Sequence, residues 1–576
     1  MRVQPLKAKS ILATGLLSLL IGTVVSYTNN DTNLGIKNEQ QASYLLQAKN
    51  MDVLHNALKK MRITPSHELS IINSYAVTVS DSQLKALKEY GDFKVTKNSA
   101  VKLSGSIASA SLEQVSVVNK IVNATSVHQT SNYGAGITMA FLDTGLRQMN
   151  GLRSDVYGLQ KTYGTYDAIN NKPLNNDNEI NGHGTHVSSI AGNSELDIHG
   201  KPMGVAPNAR MVGIKAFDFE GKGTYADIIR GIDWALQYKD RLNIRVLNMS
   251  FSGPPRSYYW DDPLNQAVMK AWQSGIVVVA SAGNKGPDPM SIGVPGNNPY
   301  IITVGAMTDN YTPDDRSDDK LTSFSSAGPT VEGFVKPDLV APGGHMRGLL
   351  PANTRLARSH PEAHDGDKYF TMSGTSQATA VVTGVVALML SEDPSLMPDD
   401  VKCRLLSTSK AAFSDENTFA YSVFQQGAGL VNAQDAINSS KTKCANQSLD
   451  IELDLADVQH FGGPAEKDEN GNFYIKSPDG TVSNDGGIFW RDGGIFWRDG
   501  GIFWRDSEPF WQDGGIFWRD GGIFWRDAAY TWNDGGIFWR DGFPESDGGI
   551  FWRDGDFVWQ DSIDSDSKIN RWVEQE

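Results

Sequence analysis

Cysteine is nearly absent from this 576-residue chain, which has two, Cys403 and Cys444. In an exported protein such a pair can form a disulfide, and closing a loop of that length would stabilise by roughly 4 kcal/mol in the chain-entropy model. The sequence leaves open whether their Cα atoms come close enough. A basic surplus is missing too. The formal net charge is −15, which argues against nucleic acid as a partner, and residues 481–576 hold −10 of it, with 19 acidic against 9 basic residues. Long apolar runs are equally scarce. One, from Ile11 to about Ser26, follows Arg2, Lys7 and Lys9 and is shorter than the ~20 residues a spanning helix needs, so residues 1–26 read as a cleavable signal peptide. No other segment could span a membrane. The expected location is therefore secreted, whether extracellular, periplasmic or at the cell surface.

The stretch with most chemical content is Ser373-Gly374-Thr375-Ser376-Gln377-Ala378-Thr379-Ala380, which runs into an apolar segment ending near Leu390. A helix apolar all round is expected to be buried, and its N-terminus offers unpaired N–H groups and partial positive charge beside the Ser376 hydroxyl. Ser is also a common helix cap, so the motif needs partners. Upstream, Phe141-Leu142-Asp143-Thr144-Gly145 reads as a buried strand ending in an acid, the usual place for an α/β active-site residue. Asn181-Gly182-His183-Gly184-Thr185-His186 places a His between two glycines ahead of another helix. His183 and His186 are spaced i, i+3 without the Glu of a His-Glu-x-x-His metal site.

Asp143, His183 and Ser376, in that order and in those three motifs, resemble the subtilisin-like serine peptidases. Gly204-Val205-Ala206-Pro207, Asn248-Met249-Ser250-Phe251-Ser252-Gly253, Ala282-Gly283-Asn284 and Lys336-Pro337-Asp338-Leu339-Val340-Ala341-Pro342-Gly343 extend the resemblance over roughly residues 115–440. It implies a nucleophile at Ser376, a general base at His183, an orienting acid at Asp143 and an oxyanion donor at Asn284. It implies a substrate edge along Ser250, Phe251, Ser252 and Gly253, and a specificity pocket whose base includes Gly293, with room for large apolar or aromatic substrate side chains. The chemistry requires no cofactor; a structural calcium ion would have ligands that the sequence does not locate. A catalytic cysteine is not expected beside this set. Two departures are Ser188-Ser189, where the family generally has Ala-Gly, and Ala380, where it generally has Pro.

The fold expected is α/β, a subtilisin-like parallel sheet with helices on both faces, because strand-like runs at 210–215, 245–249, 275–280 and 300–304 alternate with helix-like segments at 225–238 and 263–273. Residues 27–111 read as a small α+β unit resembling the family's inhibitory propeptide, with helices at 49–61 and from Ser80, and strands at 70–79 and 93–95. Residues 98–111, rich in Ser, Ala and Gly, could lie through the active site and be cut there. The peptidase domain spans 112–445, a polar linker 446–484, heptad repeats 485–561 and an acidic tail 562–576. Gly-Gly-Ile-Phe-Trp-Arg-Asp starts at Gly486, Gly493, Gly500, Gly514, Gly521, Gly535 and Gly548. Two adjacent glycines per unit cost ~2 kcal/mol in a helix relative to Ala, so a coiled coil is rejected for a very short strand and a tight turn. Trp-x-Asp persists in variant units such as Trp511-Gln512-Asp513, pointing to a polysaccharide or surface ligand, or to a low-complexity tail.

These readings make the chain a secreted endopeptidase acting on protein or peptide substrates through an acyl-enzyme on Ser376, self-matured from a proenzyme with its own propeptide as inhibitor. The rival is a surface-binding protein whose triad serves only self-maturation. A chain ending at Asp450 is expected to keep peptidase activity.

Overall fold

The strand Thr138–Asp143 is buried along its whole length. A run of six such residues suits a strand covered on both faces, and it lies at the centre of a nine-stranded sheet. A computed structural model describes residues 41–103, 106–107, 117–174, 177–414, 419–469 and 471–476, with short strand segments beyond at 482–483, 489–491, 494–496, 551–553 and 556–558. The signal-peptide expectation and most of the repeats lie outside the described residues. Across the sheet the order is Lys320–Leu321, Ile302–Thr308, Val277–Ser281, Ile244–Met249, Thr138–Asp143, Arg210–Lys215, Thr162–Asp167 and Lys172–Leu174, with Leu339–Pro342 paired to Ile302–Thr308. The inner pairs are parallel and the two outermost antiparallel. This is the α/β architecture expected.

Local chemistry sets the covering helices. Tyr225–Leu242 starts at a reciprocal cap between Thr224 and Asp227 and stops where Asn243 turns left-handed, at φ 51°. Pro263–Gln273 starts with Asp262 accepting the Leu264 and Asn265 N–H groups. Thr375–Glu392 is buried from Thr375 through Leu390, as its unbroken apolarity requires. Cys403, on the helix Pro398–Thr408, and Cys444 form a disulfide with their Cα atoms 5.1 Å apart.

The N-terminal unit is α+β. Its sheet order is His67–Leu69, Ser74–Ser80, Gln41–Gln47 and Lys94–Lys97, with helices Met51–Lys60 and Asp81–Lys88 packed over a separate core that includes Leu46, Leu54, Leu58, Val77, Leu87 and Phe93. The second helix begins at a capping box between Ser80 and Gln83.

The segment read as a linker is structured instead. Ile451–Leu455 is a helix with Ile451 and Leu455 against the main core, and Ala465–Lys467, Phe473–Lys476 and Val482–Ser483 form a three-stranded sheet. Buried Asp454 accepts from the hydroxyls of Tyr259 at 2.8 Å and Tyr300 at 2.5 Å, and from His460 Nδ1 at 2.8 Å. Polar composition concealed this because one buried acid and a few apolar residues do the docking. In the repeats, Phe489–Arg491 pairs antiparallel with Gly494–Phe496, and Phe551–Arg553 with Asp556–Val558, as very short strands, while the expected turns lie outside the described residues.

Candidate active site

Asp143 ends the central strand and is fully buried. His183 Nδ1–H donates to its Oδ1 at 2.8 Å and lies 3.0 Å from Oδ2. Asp143 Oδ1 also accepts from the Thr144 N–H at 2.8 Å, which fixes the carboxylate plane. His183 is the first residue of the helix His183–Gly192, and the two glycines around it are forced. Gly182 has φ 112°, and a Cβ on Gly184 would overlap the Gly145 carbonyl oxygen in the turn after Asp143. Acid and imidazole meet because that helix starts hard against that turn.

Ser376 is the second residue of the buried helix Thr375–Glu392. Its hydroxyl donates to the Ser250 carbonyl at 2.9 Å, while the Ser250 hydroxyl donates back to the Ser376 carbonyl at 3.0 Å. Asn248 Nδ2 holds the Ser250 hydroxyl at 2.8 Å, and Thr383 holds Asn248 Oδ1 at 2.9 Å. Gln377 Nε2 lies 3.5 Å from His186 Nδ1, so the first turns of the His183 and Ser376 helices face each other. The three distant motifs are thus brought to one place.

His186 does not pair with His183 as a metal ligand. It is fully buried, its Nε2 lies 2.9 Å from the Phe370 carbonyl, and burial pushes its pKa down to about 4, leaving a neutral ring that donates to that carbonyl. Among the described residues no group of three or more His, Cys, Asp or Glu is arranged to hold a metal ion. The departure at Ser188 and Ser189 is absorbed locally. Each hydroxyl bonds a carbonyl of its own helix, and Ser189 Oγ also accepts the Leu349 N–H at 2.7 Å.

Asn284 Oδ1 accepts both the N–H and the hydroxyl of Thr375, at 3.0 and 2.8 Å. That aims Nδ2 the other way, where it is buried with no hydrogen-bond partner among the described residues. A buried donor without a partner costs about 1–3 kcal/mol, so an acceptor arriving there gains that much.

The expected substrate edge is occupied. Ala100–Leu103 lies between Phe251–Ser252 and Lys222–Thr224 as the middle strand of a three-stranded antiparallel sheet, with Phe251 opposite Leu103 and Ser252 opposite Lys102. Ser106–Ile107 then pairs with Tyr369–Ser373, the strand leading into Gly374 and Ser376. Gly293 does not leave the open space expected of it. A Cβ there would overlap Ser252 Oγ, which has already taken the room.

Sequence reading missed Glu179. It is 1 % exposed and accepts from the Gly182 N–H, from Thr144 Oγ1 at 2.9 Å and from Thr185 Oγ1 at 2.8 Å, tying both flanks of the Asp143–His183 pair together. Burial raises its pKa to about 7. The only hint was its position four residues before His183, and a single Glu in a polar run has no pattern to announce it.

Residues 134–429 match the subtilase family. Serine protease AprX of Bacillus subtilis (strain 168) is 40% identical over 309 residues, 53% of this chain and 66% of that protein; subtilisin DY of Bacillus licheniformis is 34% identical over 318 residues, 55% of this chain and 96% of that protein. In fold the chain is similar to fervidolysin of Fervidobacterium pennivorans, with a TM-score of 0.54 at 21% identity, covering 70% of this chain and 61% of that one. With a family match over half its length and relatives of this closeness, the chain belongs to the subtilase family and is a subtilisin-like serine peptidase.

Proposed function

We propose that the chain is a secreted serine endopeptidase made as a proenzyme that cuts itself. Ser376 Oγ attacks the substrate carbonyl carbon while its proton passes to His183 Nε2. Asp143 holds the other ring nitrogen and stabilises the imidazolium. The oxyanion takes hydrogen bonds from Asn284 Nδ2 and from the first-turn N–H of Ser376. As the peptide bond breaks, His183 returns the proton to the leaving amine, and water then attacks the acyl-enzyme by the same route. The apolar run before Ser26 and the Cys403–Cys444 disulfide favour export to an oxidising compartment. The aromatic repeats would serve as a polysaccharide- or surface-binding appendage.

One observation carries this reading: two segments of the chain itself reach the site as strands from both sides, Ala100–Leu103 on the Phe251 edge and Ser106–Ile107 on the Tyr369–Ser373 strand. A polypeptide entering and leaving in this way is an endopeptidase substrate, and its intact N-terminal unit is an inhibitor. The cut is expected between Leu103 and Ser106. Ser376→Ala should accumulate as an uncut precursor and hydrolyse no casein. Normal processing of that variant would show that another protease does the cutting.

A further inference from the structure

We infer that the Ser252 side chain closes the pocket for the residue on the acyl side of the cleaved bond, so that this enzyme cuts after small residues rather than aromatic ones. The inference deepens the proposed peptidase role and rests on it. Substrate backbone laid along the Phe251 edge as Ala100–Leu103 is laid puts Leu103 opposite Phe251 and Lys102 opposite Ser252. One step further in the same antiparallel register stands Ser250, whose carbonyl accepts the Ser376 hydroxyl. The residue after the Leu103 position is therefore the one whose carbonyl meets the nucleophile.

Three segments wall the space beside it. Gly253 and Val294 exchange hydrogen bonds of 2.9 and 2.8 Å, and the Gly293 N–H donates to the Ala282 carbonyl at 3.1 Å. Asn284, the oxyanion donor, follows Gly283 directly. Glycine at both 283 and 293 puts no side chain of its own into this space, which Ser326 Oγ and the Gly253 carbonyl also border. Ser252 fills it: a Cβ on Gly283 would stand 2.9 Å from Ser252 Oγ and 3.4 Å from its Cβ, and a Cβ on Gly293 would overlap Oγ. A ring entering between the two glycines would have to displace a hydroxymethyl fixed on a hydrogen-bonded strand. Selectivity here is exclusion by a clash.

Two observations on the chain itself agree. The residues between Leu103 and Ser106 are Ser104 and Gly105, both small. Further back the site takes branched side chains. Val101 is 1 % exposed, with its methyl carbons 3.6 and 3.7 Å from where a Gly253 Cβ would sit, and Leu103 is 4 % exposed. The substrate class is thus a polypeptide with a small residue at the cut, an aliphatic residue immediately before it and a branched aliphatic residue three places before it.

Internally quenched peptides Ala-Val-Lys-Leu-X-Gly-Ser-Ile, the chain's own 100–107 with X as Ser, Ala or Phe, test this with the enzyme matured from the full chain, the cut being located by mass spectrometry. We expect kcat/KM for Ser and Ala to exceed that for Phe by about tenfold or more, the discrimination one or two displaced carbon atoms can produce. Ser252→Gly should shift the Phe-to-Ala ratio by about tenfold or more in favour of Phe, and Ser252→Ala should shift it less. A wild-type enzyme that prefers Phe, or a ratio unmoved by either substitution, overturns the inference while leaving the peptidase reading standing. The wild-type ratio decides even if a variant fails to mature. No hydrolysis of any peptide overturns the peptidase reading and this one with it.

Discussion

Thr375 holds Asn284 by two bonds to a single oxygen, its N–H at 3.0 Å and its hydroxyl at 2.8 Å. An amide gripped by Oδ1 cannot turn over, so Nδ2 stays the group left without a partner, and Thr375, the residue before Ser376, sets the direction of the proposed oxyanion donor.

That relationship gives the first prediction. Asn284→Ala should lower turnover by about 10²–10³ with little change in KM, a loss known from subtilisin itself for the corresponding donor. Thr375→Val removes one of the two bonds and keeps the shape, so a smaller fall, roughly tenfold, is expected in kcat for the neutral bond lost. Steady-state kinetics on a soluble peptide decide it. A rise in KM at unchanged kcat for Asn284→Ala would remove the oxyanion role.

The second prediction follows from Glu179. Burial raises its folded pKa to about 7, above the unfolded value near 4.3. Between those values the folded chain keeps a proton that the unfolded chain has released, so stability is fully present below the unfolded pKa and is lost as pH rises towards 7, by about 1.4 kcal/mol per pH unit. Thr144, Thr185 and the Gly182 N–H donate to this carboxyl, and Asp177, itself raised to about 6 by burial, repels its charge. Melting of Ser376→Ala protein between pH 5 and 8 should show that fall, and Glu179→Gln in the same background should flatten it. Equal slopes in the two proteins would mean that Glu179 does not titrate in this window.

The third concerns where the catalytic structure ends. A chain stopped after Lys476 should keep its kcat/KM on a soluble peptide within about twofold, since it retains the Asp454 contacts. Stopping after Asp450 leaves the buried Tyr259 and Tyr300 hydroxyls without their acceptor, at about 1–3 kcal/mol each. That protein should melt several degrees lower, even where it keeps the peptidase activity expected of a chain ending at Asp450. Identical melting of the two truncations would show that Asp454 contributes nothing.

What the sequence made legible follows from where each signal lives. Asp143 at a strand end and His183 and Ser376 at helix starts are read from neighbours in the chain, as are the strand Arg210–Lys215 and the helix Pro263–Gln273, which fall on their expected bounds. Gln41–Gln47, the strand joining the two sides of the N-terminal sheet, carries too little alternation to stand out. Ser252 was legible as part of a substrate edge. That its hydroxyl lies between Gly283 and Gly293, 31 and 41 residues away, is a tertiary fact with no local trace. Glu179 and Asp454 were hidden for a related reason: an acid in a polar run looks solvated until the fold buries it.

Ala100–Leu103 is hydrogen-bonded along both edges, to Lys222–Thr224 and to Phe251–Ser252. In the uncut chain this strand competes for the groove at an effective concentration fixed by its tether, in the millimolar range for short connections, which free peptide rarely matches. A cut between Leu103 and Ser106 breaks no hydrogen bond of that sheet. It turns return of the strand from a unimolecular event into a bimolecular one. With the proposed cut made, dilution of the N-terminal unit, rather than the cut, would set the moment at which the groove opens to other chains.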